Sequence, residues 1–124
     1  MEMPKPSDAD KEYFRSLVPE HPGVVVKPMF GNLGAFINGN MFAALFGHSV
    51  GVRLSEASAG ELRAIKGSGP FGPAERPMSG YVALPLAWRT DPELASDWVA
   101  RALETVAAMP PKVAKPKAAK KTNR

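Results

Sequence analysis

Between Val24 and Arg53 the chain alternates apolar runs of strand length with glycine-containing turns, and this constrains the fold more than any other stretch. Asn38-Gly39, set between two such runs, has the residue types that a two-residue hairpin turn requires, because both central positions need positive φ. Four strands are expected, roughly over 24–30, 34–38, 40–46 and 50–54. Pro28 cannot donate a ladder hydrogen bond, which places the first strand at an edge or gives it a bulge. Met41, Ala43 and Leu45 alternate with Phe42, Ala44 and Phe46, so both faces of the third strand are apolar. Helices are expected over one face of the sheet, with partial cover over the other.

Helices flank the meander. Ser7 is a suitable N-cap, with Asp8 and Asp10 placed where a helix N-terminus favours negative charge. Tyr13, Phe14, Leu17 and Val18 make one apolar face, and Pro19 and Pro22-Gly23 end that helix. Ser55 or Ser58 caps a second helix, with capping-box spacing from Ser58 to Glu61, Leu62 and Ile65 inward, and Gly67 as the stop. Residues 67–77 read as a long ordered loop anchored by Phe71, followed by a strand over Tyr81–Leu84 closed by Pro85. Asp91, Pro92 and Glu93 are a strong start signal for the last helix. Its stripe is Leu94, Trp98, Val99, Ala102, Leu103 and Val106, and Pro110-Pro111 ends it. The expected architecture is a two-layer α+β fold: an antiparallel β-meander sheet of about five strands with three helices. By domain, residues 1–6 are expected to be disordered, 7–109 to fold as one unit, and 110–124 to form a disordered basic tail.

At 124 residues the chain is one domain by length and can bury a core without staples. It has no cysteine, which excludes disulfides, thiolate nucleophiles and cysteine zinc sites and fits a reducing compartment. With no apolar leader at Met1–Pro6 and no long apolar run, a cytoplasmic protein without membrane attachment is expected. The net charge of +4 is unevenly distributed. Lys112, Lys115, Lys117, Lys120, Lys121 and Arg124 are six of the sixteen basic residues, and none of the twelve acids lies among them. The body is therefore slightly acidic and the basicity belongs to the tail. Six cations on a peptide attract phosphate backbones, with a salt slope of at most about −5 if all engage duplex DNA. These six residues are the candidate nucleic-acid contacts. The alternative is a solubilising tail, since it lacks the aromatic residues on which single-stranded bases stack.

Two familiar motifs fail on context. Gly47-His48-Ser49-Val50-Gly51 matches G-x-S-x-G, but a nucleophile elbow needs a helix after the serine, and a strand is expected there. Gly67-Ser68-Gly69-Pro70-Phe71-Gly72 matches G-x-G-x-x-G, but a helix precedes it and Pro73 follows, so the glycines belong to a loop. His21 and His48 lie in expected loops without partners at ligand spacing, where solvated or locally hydrogen-bonded roles suffice. Glu56, Glu61, Asp91, Glu93 and Asp97 are accounted for by helix N-termini. No catalytic residue, metal ligand or cofactor is assigned, and the expectation is a protein that is not an enzyme.

Met29-Phe30-Gly31, Gly34-x-Phe36-x-Asn38-Gly39-x-Met41-Phe42-Ala43 and Val52-Arg53-Leu54 together resemble the N-terminal domain of the TfoX/Sxy family. Pro70-Phe71, Arg76-Pro77-Met78-x-x-Tyr81-Val82-x-Leu84-Pro85 and the Trp98 helix extend the likeness over roughly residues 10–109. The resemblance implies the same helix, meander, helix, strand and helix order. It also implies regulation rather than catalysis: named members of the family act on competence and DNA-uptake genes, alongside the cyclic-AMP receptor protein. Those regulators carry a second, helical C-terminal domain where this chain has its basic tail, so a stand-alone N-terminal-type protein is expected. The leading expectation is a regulatory or adaptor domain with a protein partner, a tail that holds nucleic acid non-specifically, and edge-strand pairing into a homodimer. The alternative is a small-molecule-binding module with its pocket between the sheet and the 67–77 loop.

Overall fold

The structure, a computed structural model, describes residues 5–29, 32–72, 78 and 80–110. Along the chain come α1 (Asp8–Leu17), β1 (Val24–Met29), β2 (Asn32–Ile37), β3 (Asn40–Phe46), β4 (Ser49–Arg53), α2 (Glu56–Arg63), β5 (Gly69–Pro70) and β6 (Tyr81–Ala83). A 3-10 turn over Leu86–Thr90 then leads into α3 (Pro92–Ala107). The strands form one antiparallel sheet in the order β1-β2-β3-β4-β6-β5. The first four are a meander. After β4 the chain crosses through α2, and β6 inserts between β4 and the two-residue β5. The result is the α+β fold expected, with β5 as the extra strand and the 3-10 turn as an unexpected element.

Turn chemistry sets the register of the meander. Asn38 (φ +54°) and Gly39 (φ +81°) both take the left-handed conformation, whose twist matches that of the flanking strands. Gly47 (φ +63°) opens the tight β3–β4 turn and so places His48 at its tip. β1 is an edge strand, where the missing N–H of Pro28 costs no ladder bond. The bulge lies elsewhere: the β2–β3 register shifts between Ala35 and Phe36, so β3 holds one extra residue, Phe42. Phe42 and Ala43 are consequently both fully buried although adjacent in sequence.

α1 and α3 cover one face of the sheet, α3 lying across β2, β3 and β4 and α1 against α3 and β3. Leu33, Ala35, Leu45, Val50 and Val52 meet Phe14, Leu17, Val99, Ala102 and Val106 in a single core. Ser7 caps α1 through a reciprocal box with Asp10, and Asp91 caps α3 with Pro92 in its first turn. For α2 the cap is Ser55; Ser58 lies inside the helix and supplies the N–H that Ser55 accepts. Glu61 sits past the first turn of α2 and pairs with Arg101 at 3.2 Å.

The other face is closed differently. Phe71, just after β5, lies flat over Gly51 of β4, where any Cβ would overlap its ring. Phe46 and Tyr81 flank it, with ring centroids 6.1 and 6.2 Å away, and the Tyr81 hydroxyl donates to the Met41 carbonyl at 2.9 Å. The anchor expected for the 67–77 loop is thus in place, while residues 73–77 of that loop lie outside the described residues.

Candidate functional site

Three segments far apart in sequence meet at the N-terminal end of α1. The Asp10 side chain, only 3 % exposed, stands where α1 faces the β3–β4 turn and the 3-10 turn. One carboxylate oxygen, Oδ2, accepts from the Ser7 backbone N–H at 2.8 Å and lies 2.9 Å from His48 Nδ1. The other, Oδ1, accepts from Arg89 Nη1 at 2.8 Å. Burial alone raises this carboxyl's pKa, but the Ser7 N–H, the imidazole and the guanidinium outweigh it and hold Asp10 well below the usual carboxylate range. An ionised carboxylate only accepts, so His48 donates from Nδ1 and keeps Nε2 for another partner.

Arg89 is fixed twice. Besides its bond to Asp10, its guanidinium carbon lies 4.4 Å from the centroid of the Tyr13 ring. The Tyr13 hydroxyl donates to the Trp88 carbonyl at 3.2 Å, anchoring the ring against the 3-10 turn. Burial raises the Tyr13 pKa, with Arg89 pulling it down and Asp91 pushing it up, so the phenol stays a neutral donor. Beside this group opens a cavity of about 230 Å³ lined by Tyr13, His48, Val50, Leu84, Pro85, Leu86 and Arg89. Its walls are mainly apolar and its charged groups sit at one side. Leu86, 62 % exposed, belongs to this rim.

Asp10, Tyr13 and His48 were each noted in the sequence, but none was given a part in a site, and Arg89 was not noted at all. Asp10 had a sufficient local explanation as a helix N-terminal acid, and Ser7-x-x-Asp10 does form a capping box. Its second role depends on His48 and Arg89, 38 and 79 positions away, and no local spacing encodes that meeting. The one available hint was His48 at the tip of a tight turn, where its ring is free to reach a neighbouring element.

The sequence-derived candidates fall elsewhere. Lys112, Lys115, Lys117, Lys120, Lys121 and Arg124 lie outside the described residues. The segment that carries them begins at a defined corner, since Asn40 Nδ2, beside the Asn38-Gly39 turn, donates to the Pro110 carbonyl at 3.1 Å. Ser49 opens β4 and is followed by strand, which removes the elbow geometry. His21 Nδ1 accepts from the Gly23 N–H at 3.4 Å, a local contact. Beside the 67–77 loop, a second cavity of about 480 Å³ is lined by Arg63, Ser68, Gly69, Pro70, Met78, Gly80 and Tyr81. Over Gly51 the space is filled by the Phe71 ring. On the same face, half-buried Met29, Phe36 and Met41 and exposed Val25 make an apolar strip, with Lys27 Nζ 4.7 Å from the Phe36 ring centroid. Among the described residues no three His, Cys, Asp or Glu side chains are grouped to hold a metal ion. No helix among them is long and apolar enough to cross a membrane.

A helix-covered antiparallel meander, completed by a crossover strand and a closing helix, defines the class: a small α+β domain built on one antiparallel sheet. Residues 13–106 match the family model of the TfoX N-terminal domain, most of the chain. The protein belongs to that family. His48 and Arg89 lie inside the matched region, and Asp10 just before it. No curated protein matches the chain.

Proposed function

We propose that this protein is a non-enzymatic regulatory or adaptor domain that associates with nucleic acid through the basic segment 110–124. The observation that carries the reading is the segregation of charge. All six cations of the last fifteen residues stand without an acid among them, against a slightly acidic body. Such a segment binds phosphate backbones by releasing counterions, with little regard for sequence. Membership of the TfoX N-terminal family supports the regulatory part, since the named members of that family act on competence genes. The Asn40–Pro110 bond supports a fixed point of departure, so that a bound strand would run from the β2–β3 corner. The half-exposed strip of Val25, Met29, Phe36 and Met41 supports contact with a protein partner.

The test is the anisotropy of labelled duplex DNA titrated with the full chain and with a full-length variant carrying Gln at Lys112, Lys115, Lys117, Lys120, Lys121 and Arg124. The full chain is expected to bind at low salt, with a log–log salt slope of up to about −5. The Gln variant should lose nearly all of that affinity. Equal binding by both would move the nucleic-acid surface to the folded body, and binding by neither would end the nucleic-acid part of the reading.

A further inference from the structure

We propose that the cavity beside Asp10, His48 and Arg89 is a binding site for a small organic anion: a carboxylate on a short aromatic or branched aliphatic body. The carboxylate would meet Arg89 and His48, and the apolar body would lie against Val50, Leu84, Pro85 and Leu86. This inference is independent of the basic tail.

Charge comes first. Arg89 is a permanent cation with five N–H donors, of which the structure engages one, on Nη1, with Asp10. Asp10 neutralises a single unit of charge. The remaining N–H groups of Arg89 and the outer edge of the His48 ring, on a side chain 74 % exposed, face where a ligand can reach them. Geometry comes second. The guanidinium is held from the side by Asp10 and from its face by the Tyr13 ring at 4.4 Å, and the imidazole is oriented through Nδ1. Donors fixed before the ligand arrives cost little ordering entropy on binding.

Shape comes third. A volume of about 230 Å³ with mostly apolar walls suits one ring or a branched chain rather than a nucleotide. Leu86 is one of two large apolar side chains exposed among the described residues, and nothing in the core accounts for it. Its position on the rim of a cavity that also holds a fixed guanidinium gives it a partner: the apolar half of such a ligand. An aqueous rim would weaken the charge pairing, whereas an apolar one that excludes water strengthens it.

The experiment is an NMR titration of the full chain with 3-phenylpropionate and 4-methylpentanoate, following Tyr13, His48 and Leu86. Acetate and 3-phenylpropionamide serve as controls that lack the apolar body and the charge. Saturable shifts at these three residues are expected, with a Kd on the order of a millimolar or tighter for a ligand of this size. Acetate and the amide should bind at least about tenfold more weakly. Arg89→Gln should abolish binding, but that change also removes a partner of Asp10. Leu86→Glu therefore carries the decision, since the side chain is exposed and its replacement leaves the core intact. It should weaken binding by about tenfold or more with an unchanged melting temperature. Three results would each overturn the proposal: no saturable shift up to about 20 mM, equal affinity for acid and amide, or undiminished binding by the folded Leu86→Glu variant.

Discussion

The two faces of the sheet are both apolar, yet they are closed by different means. On one, α1 and α3 lay continuous stripes across β2, β3 and β4, and Phe14, Phe42 and Val99 have no exposure at all. On the other, a single ring from a loop, Phe71, sits over Gly51, and the strip beyond it stays half open. A face closed by helices loses its shape only if the whole core goes. A face closed by one plug can open locally while the rest stays folded. The difference shows where this domain is committed to stability and where it keeps surface available.

Removing one fully buried ring from each face tests that distinction most directly. Phe42→Ala leaves a cavity enclosed by sheet and helices, so the lost transfer free energy is joined by a cavity cost, about 4 kcal/mol together. Phe71→Ala opens a cleft that water can enter, which leaves mainly the transfer cost, about 2 kcal/mol. Urea unfolding of the two variants should show the first gap clearly larger. Hydrogen exchange should rise over the whole molecule for Phe42→Ala but mainly along β4, β5 and β6 for Phe71→Ala. Equal costs and equal exchange patterns would mean that the plug is as integral as the helices, and the comparison would fail.

The Asp10 cluster lies at the end of the helix-covered side, and there stability depends on charge rather than packing. Asp10→Asn keeps the shape but leaves Arg89 without its counterion and weakens the bond to His48, at a cost of about 2 kcal/mol near neutral pH. The sign of its pH dependence follows from the direction of the shift. The folded carboxyl titrates below the usual range. Its contribution is therefore complete above the unfolded value of about 4 and is lost as pH falls below that. The gap in urea midpoint between wild type and Asp10→Asn should accordingly be present at about pH 5 and shrink as pH falls through about 4 towards about 3. A gap that did not change with pH would mean that Asp10 acts through shape alone.

Much of the helix-covered side was legible in the sequence, because each part of it obeys a local rule. Asn38-Gly39 demanded a hairpin, Asp91-Pro92 demanded a helix start, and the spacing from Leu94 to Val106 demanded a buried stripe. The parts that were not legible have no such rule. β5 is two residues long, too short for any periodicity. The bulge at Phe42 hides in a strand that is apolar on both faces. Leu86–Thr90 forms a 3-10 turn from residues with no helical pattern, and so Arg89 carried no signal of its position. The cluster of Asp10, His48 and Arg89 is a product of tertiary folding alone, and the local sufficiency of Ser7 and Asp10 as a capping box concealed it.

The smallest expected effect separates packing from propensity within the helices themselves. α2 differs from α1 and α3 in resting on only two buried residues, Ala59 and Leu62, and in carrying Gly60 in its interior. Gly60 is exposed, and a Cβ there would meet nothing within 4 Å. Its absence gives no packing advantage, while glycine costs the helix backbone entropy. Gly60→Ala should therefore stabilise the protein by about 0.5–1 kcal/mol, read as a rise in urea midpoint at unchanged slope. A stabilised variant would show that α2 is limited by its own backbone and that its weak seating is tolerated. A neutral or destabilised one would mean that the absent methyl matters to something outside the helix, since the cavity lined by Arg63 and Tyr81 lies at the end of the same element. In that case α2 would belong with the open face of the molecule rather than with the closed one.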